Sequence, residues 1–219
     1  SGNIATRAGG GILNVAEGDA TLTNTTVTGN IATRYGGGIN NLADVDLNNT
    51  IISGNQASLG GDEIDRFLGT ISSRDSVIGY GGSTRSAGFT LGSNDVVPAG
   101  ALSTVLDTVL ANNGGPTLTH ALISGSPAID LAPAANCTGS PVYGVDQRGE
   151  ARPIDGTLDG TAACDAGAVE QAVSEVCGLS AAIDYTLAGA TLNATNLGTD
   201  LDCFQAALLN ENHPNASSS

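Results

Sequence analysis

The sequence predicts an all-β solenoid, a single-stranded parallel β-helix made of stacked repeats. A phrase at residues 2–12, Gly-Asn-Ile-Ala-Thr-Arg-Ala-Gly-Gly-Gly-Ile, returns almost unchanged at residues 29–39 and in a diverged form at residues 54–64. Each copy is rich in Gly, Asn, Thr, Val and Ile rather than in helix-forming residues. Repeats this short cannot bury an apolar face alone, so they must stack on one another.

The second half of each repeat carries the clearest strand pattern. Residues 20–27 and 45–52 are rich in β-branched side chains and lie between Gly and Asn turns. We expect each strand to pair in parallel with its equivalent one repeat away. A leucine-rich repeat has an overlapping period, but it needs a dense Leu-x-x-Leu-x-Leu frame, which the sequence lacks.

Alignment of the three copies predicts which side chains fill the interior. Each buried aliphatic side chain contributes about 1.5–3 kcal/mol to stability. The aligned aliphatic positions are Ile4 with Ile31, Ile12 with Ile39 and Ile64, Leu22 with Leu47, and Val27 with Ile52 and Val77.

Asparagine and glycine also recur at fixed positions. Asn3, Asn30 and Asn55 align, as do Asn24 and Asn49. Stacked Asn side chains about 4.8 Å apart can hydrogen-bond along the axis. The triple glycines at residues 9–11 and 36–38 fit a tight corner with positive φ.

Composition limits the partners of this chain. Its 219 residues include 22 acidic and 7 basic side chains, which gives a formal net charge of −15. This balance argues against nucleic acids and anionic membranes as partners. No apolar run in the sequence predicts membrane insertion.

Four cysteines predict two disulfides rather than a zinc site, because their spacing is wide and no histidine lies nearby. Three pairings are open. We prefer Cys137–Cys164 with Cys177–Cys203, since each pair encloses one compositional unit. Disulfides indicate an extracellular or cell-surface location. Five sequons are weaker indications of the same, as candidate glycosylation sites. They begin at Asn24, Asn48, Asn136, Asn193 and Asn215.

The sequence divides into three parts. Residues 1–130 are predicted to form the coils and residues 131–171 a disulfide-closed module. Residues 172–219 form a capping or assembly segment, in which the apolar positions after Asp202 predict a short helix.

A second signature occupies residues 112–171. It contains Asn-Gly-Gly-Pro-Thr-Leu-Thr-His-Ala-Leu at 113–122, Gly-Ser-Pro-Ala-Ile-Asp at 125–130, Asp-Gln-Arg-Gly at 146–149 and Cys-Asp-Ala-Gly-Ala-Val-Glu at 164–170. These phrases resemble the C-terminal part of bacterial "choice-of-anchor Q" surface proteins. The Gly-Gly-Gly-Ile coils resemble rungs that such proteins share with polymorphic outer-membrane adhesin repeats. The resemblance implies an exported, right-handed β-helix at the cell surface, without established enzymatic activity.

Two clusters of charged residues are candidate sites. Asp62, Glu63 and Asp65 are the densest acidic group and are candidates for a Ca²⁺ site or a carboxylate pair, because alternate residues of a strand share a face. No other cofactor is expected. Asp146 and Arg148, together with Asp165, are expected to form a structural ion-pair knot.

The first repeat begins almost at residue 1, so the first coil should expose unpaired strand edges, which invite another strand to add. We therefore expect a non-catalytic extracellular structural protein that assembles head-to-tail through open β-helix ends into a fibre. One alternative is an adhesin that binds surface glycans on the flank of the coil. Another is a polysaccharide lyase or hydrolase, although the sequence is poor in the aromatic platforms of sugar-binding grooves.

Overall fold

The computed structural model describes residues 1–171, and these residues are mostly short strands with almost no helix. The expected Cys177–Cys203 disulfide, the sequons at Asn193 and Asn215, and the helix after Asp202 lie outside the described residues. The first repeat holds β1 (Ile4–Ala5), β2 (Ile12–Asn14), β3 (Ala20–Thr23) and β4 (Thr26–Val27). The second holds β5 (Ile31–Ala32), β6 (Ile39–Asn41), β7 (Val45–Asn48) and β8 (Ile51–Ile52). The third holds β9 (Gln56–Ala57), β10 (Ile64–Arg66), β11 (Ile71–Arg74) and β12 (Val77–Ile78).

The strands form four parallel sheets, and each sheet takes one strand from each repeat. Their orders are β1-β5-β9, β10-β6-β2, β11-β7-β3 and β12-β8-β4. The prediction that each strand pairs with its equivalent one repeat away is confirmed. Ile12 aligns with Ile39 and Ile64, and Leu22 aligns with Leu47.

The interior core follows these columns, with the second-repeat members Ile39 and Leu47 at 1% and 0% exposed. The prediction for Ile4 and Ile31 is wrong, because these side chains are 73% and 39% exposed. In these two-residue strands the neighbouring alanine is the more buried residue, as at Ala32, which is fully buried. Successive side chains point to opposite faces, so a shift of one residue exchanges inside and outside.

A similar shift corrects the last predicted column. Val27 and Ile52 align with Ile78, not with Val77. Val77 instead aligns with Ile51 and belongs to a second core. Both residues of β12 are aliphatic, so hydrophobicity alone does not indicate which one faces the interior.

One asparagine column forms as predicted and the other does not. Asn3 Nδ2 donates to Asn30 Oδ1 over 2.9 Å, and Asn30 Nδ2 donates to Asn55 Oδ1 over 2.9 Å. Asn24 and Asn49 lie at corners with φ of 47° and 54°, and Asn49 Nδ2 donates to the carbonyl of Asp165 instead of to Asn24. That carbonyl belongs to a distant part of the chain, which the repeat alignment does not include.

The glycine corners have two different requirements. The first glycine of each corner has a positive φ, 68° at Gly9 and 62° at Gly36. At Gly37 the reason is contact between repeats, because a Cβ there would lie 2.3 Å from the carbonyl oxygen of Gln56.

Residues 102–171 cover the outer face of the β4-β8-β12 sheet. They contain a 3₁₀ turn (Leu102–Thr104) and one short helix, α1 (Ala135–Thr138). Ile51 and Val77 point outward into a second core. Their partners in that core are Val105, Leu106, Leu122, Ala128, Ile129 and Ala166.

Candidate functional site

Among residues 1–171, the first repeat supplies the terminal strand of all four sheets. The strands β1, β2, β3 and β4 are each the terminal strand of their sheet, and no strand or bridge of residues 1–171 pairs with their other side. Apolar side chains are exposed on this repeat, with Leu13 at 50% and Val15 at 56%. We refer to β1–β4 together as the first-repeat edge.

At the opposite end of the stack, three of the four sheets have a further partner. Asp65 bridges Ala87, Arg74 bridges Ser93 and Val77 bridges Val96, all in parallel. Phe89, in the same segment, packs against the interior core. Within residues 1–171, the first repeat therefore ends all four sheets without a further partner. At the third repeat, residues 83–96 pair with β10, β11 and β12, and β9 has no strand or bridge partner on its outer side.

The three carboxylates expected to bind a metal or act as a pair do not converge. Asp62 accepts hydrogen bonds from Ala57 N and Arg85 Nη2 over 2.9 and 2.6 Å. Asp65 accepts one from Asn40 Nδ2 over 2.7 Å on the outer face of its sheet. Within residues 1–171, no group of three His, Cys, Asp or Glu side chains is placed to hold a metal ion. Glu63 precedes β10, so the rule that alternate residues of a strand share a face does not apply to Glu63 and Asp65.

Glu63 is instead fully buried at the end of the asparagine column. Its carboxylate accepts hydrogen bonds from Gly54 N over 2.7 Å, Asn55 N over 3.1 Å and Asn55 Nδ2 over 2.6 Å. Burial raises the pKa of Glu63 to about 7, although these donors and the charge of Arg85 oppose the shift.

Only part of the expected ion-pair knot forms as an ion pair. Arg148 Nε lies 2.8 Å from Asp146 Oδ2, and both side chains are nearly buried. Asp165 does not belong to this pair. Its carboxylate accepts backbone hydrogen bonds from Asp130 N over 2.8 Å and Gln171 N over 2.5 Å.

A second, deeper pair was missed by the sequence reasoning. Arg152 Nε lies 3.4 Å from Glu170 Oε2, and both side chains are completely buried. The same guanidinium donates to the carbonyls of Asp165 and Gly167 over 3.2 and 2.9 Å. Both residues lie within the signature at residues 112–171, but nothing in that signature showed that they would meet.

The buried acids of this cluster are shifted in pKa. Burial raises the pKa of Asp165 to about 8, and the nearby Glu170 charge adds to the shift. Burial also raises the pKa of Glu170, although the charge of Arg152 opposes it. Because these side chains bond to backbone groups of their own module, the cluster has a structural role.

In two of the described sequons, the asparagine side chain is buried or hydrogen-bonded. Both polar atoms of the Asn24 side chain are buried without a partner among residues 1–171, and Asn136 Nδ2 donates to Asp75 Oδ2 over 2.9 Å. Asn48 is half-buried on an outer face. Oligosaccharide attachment needs the amide nitrogen, which is buried at Asn24 and hydrogen-bonded at Asn136.

The Cys137–Cys164 disulfide is present as predicted and links Cα atoms 6.1 Å apart. It is compatible with an oxidising compartment. The histidine of the described region, His120, contacts the carbonyl of Asp107 through Nδ1 over 2.8 Å. Up to residue 171 the structure contains no helix long and apolar enough to cross a membrane.

Comparisons with protein-family models, with curated proteins and with solved structures find no match to this chain.

Proposed function

We propose that this chain is a non-catalytic structural protein of the cell exterior, with repeats that form a right-handed, single-stranded parallel β-helix. Support comes from the four parallel sheets, which the chain visits in the same order in every repeat. The sequence signature supports a place among the choice-of-anchor Q surface proteins, and the Cys137–Cys164 disulfide suits an exported protein.

The proposed activity is head-to-tail self-assembly, and the observation that carries it is the first-repeat edge. Four strand edges lie on one end of the stack, and two of these strands carry exposed apolar side chains, Ile4 on β1 and Leu13 on β2. Free edges of this kind add strands from other chains, and a contact between unlike surfaces extends into a filament.

The third repeat is the less suitable surface for this contact, because residues 83–96 already pair with three of its four strands. We assign the contact to residues 172–219, which continue from Gln171. The module that leads to them lies against the first repeat, since Ala168 N donates to Thr26 Oγ1 over 3.0 Å. The described part of the module therefore ends three residues after a contact with the first repeat.

Assembly is tested by light scattering of the full chain after size exclusion over a range of concentrations, with negative-stain microscopy. We expect the mean mass to rise with concentration. Leu13→Lys adds a charge beside the edge of β2 and should lower the assembled fraction about tenfold. Phe67→Lys is the matched control, because Phe67 is 71% exposed on the third repeat.

A wild-type chain that stays monomeric at every concentration would rule out the proposal. Equal effects of the two lysines would show that assembly does not use the first-repeat edge. The polysaccharide-degrading alternative gains no support from the geometry, because Asp62, Glu63 and Asp65 face different partners.

A further inference from the structure

The outer face of the β3-β7-β11 sheet is entirely polar. Leu22, Val45 and Leu47 are buried on the inner side of these strands. The outward side chains stand in two register columns, each crossing all three strands. These columns are Thr21–Asp46–Ser72 and Thr23–Asn48–Arg74.

The outer faces of the other three sheets contain apolar side chains. Ile4 and Ile31 lie on β1-β5-β9, Leu13 lies on β2-β6-β10, and Ile51 and Val77 lie on β4-β8-β12 under residues 102–171. Among residues 1–171, an outer face without apolar side chains is therefore a particular property of the β3-β7-β11 sheet.

This face is the floor of a groove. The α1 segment stands beside it, and a depression of about 300 Å³ is lined by Asn48 and Arg74 on the floor and by Asn136 and Ser140 on the wall. A second depression of about 330 Å³ shares Asn48 and Arg74 and extends to Asp46. The two depressions together extend across β3, β7 and β11, and we call them the polar groove.

Arg74 lines both depressions, and Asp46 lines the second one with it. No carboxylate or carbonyl of residues 1–171 accepts a hydrogen bond from its guanidinium, whereas Arg66 donates to two backbone carbonyls and Arg85 pairs with Asp62. The Asn48 amide is likewise without a partner within the described residues. The Asp46 carboxylate accepts a hydrogen bond from the hydroxyl of Ser72.

We propose that the polar groove binds an acidic glycan, with a uronate carboxylate on Arg74 and sugar hydroxyls on Asn48 and Thr23. A guanidinium matches the two oxygens of a carboxylate, and such charge-assisted bonds are stronger than neutral ones. Amide and hydroxyl side chains both donate and accept, as sugar hydroxyls require. This site does not depend on the proposed assembly, because it lies on the flank of the stack.

The probe is a tetramer of galacturonate, and its fully methyl-esterified form is the neutral counterpart. Binding to the unglycosylated chain is measured by calorimetry at 0.15 M salt, where the long-range repulsion between this acidic chain and the acidic tetramer is screened. We expect the acid to bind and the ester to bind at least about tenfold more weakly. Arg74→Gln should weaken binding of the acid by about the same factor.

Two further variants separate a local site from overall charge. Arg7→Gln makes the same charge change at an exposed position outside the groove and should leave binding unchanged. Asn48→Asp places a carboxylate beside Arg74 and should weaken binding as Arg74→Gln does. The proposal is overturned if the acid does not bind, if the ester binds equally well, or if Arg7→Gln and Arg74→Gln have equal effects.

Discussion

At the scale of single residues, Glu63 shows how one position can change its role along a repeat. It aligns with Gly11 and Gly38, where a Cβ would lie 2.8 and 2.4 Å from the carbonyl oxygens of Gly38 and Glu63. In the third repeat a side chain is accommodated, and it ends the asparagine column by accepting from Asn55. A buried carboxylate is costly, and here desolvation outweighs the three donated hydrogen bonds.

This balance predicts a pH dependence of stability. The native pKa of Glu63 is about 7, above its ordinary value of 4.5. Between these values the folded chain holds a proton that the unfolded chain has lost, so the free energy of unfolding falls as pH rises. The contribution of Glu63 is on the order of 3 kcal/mol. It is fully present below pH 4.5 and is lost by about pH 7.

Glu63→Gln removes the titration, so denaturant unfolding of this variant should show a shallower fall between pH 5 and about 7 than wild type. Asp165, with its pKa also raised, keeps its own share in both proteins. Glu17→Gln is the exposed control and should retain the wild-type slope. Identical slopes for wild type and Glu63→Gln would contradict this assignment.

The sequence predicts that Asp62, Glu63 and Asp65 form a metal site or a carboxylate pair. In the structure each carboxylate has different hydrogen-bond partners. The period of two applies within a strand, and Glu63 lies at the corner before β10. Arg152 and Glu170 were missed for a related reason. Their meeting depends on how residues 144–170 fold back on themselves, which no local spacing encodes.

At the scale of elements, strand length decides how well a register can be predicted. In the three-residue strands β2, β6 and β10, the Gly-Gly-Gly-Ile phrase identifies Ile12, Ile39 and Ile64 as one column. In two-residue strands either residue can face inward. Hydrophobicity therefore favoured Ile4 over Ala5, whereas the structure exposes Ile4.

The corner glycines provide a direct test of stacking between repeats. Gly37→Ala would place a Cβ 2.3 Å from Gln56 O and 2.5 Å from Asp62 O, both backbone atoms of the next repeat. We expect a loss of about 3 kcal/mol in the free energy of unfolding. Gly139→Ala is the matched control, because its φ is −95° and no atom lies within 4 Å of the new Cβ.

The control should change stability by less than about 0.5 kcal/mol. If both alanine variants unfold at the same denaturant concentration, the corners do not carry the close contact between repeats. A larger loss for Gly139→Ala would equally contradict the description.

At the scale of the whole molecule, the C-terminal module and the repeats are joined through one outer face. Asn49 exchanges two hydrogen bonds with the module: its carbonyl accepts from Gly167 N over 2.9 Å, and its Nδ2 donates to Asp165 O over 3.1 Å. The sequence predicted a disulfide-closed unit but not this docking, because contacts across more than a hundred residues leave no periodic pattern.

Ile51 is the side chain on which this docking can be measured. It is outward-facing yet only 1% exposed, because Ala166 and its neighbours cover it. The equivalent position of the first repeat is Thr26, so threonine is compatible with the strand itself. Ile51→Thr removes apolar contact and buries a hydroxyl, and we expect it to cost about 3 kcal/mol.

Ile31→Thr makes the same chemical change on another outer face, where Ile31 is 39% exposed. It should cost clearly less than Ile51→Thr. Amide hydrogen exchange then locates the loss, because Ile51→Thr should speed exchange at Ala166 and Gly167 before it affects β6. If exchange rises equally throughout the repeats, the module and the repeats unfold as one unit, and the module does not detach first. Equal stability losses in the two variants would mean instead that the module does not rest on Ile51.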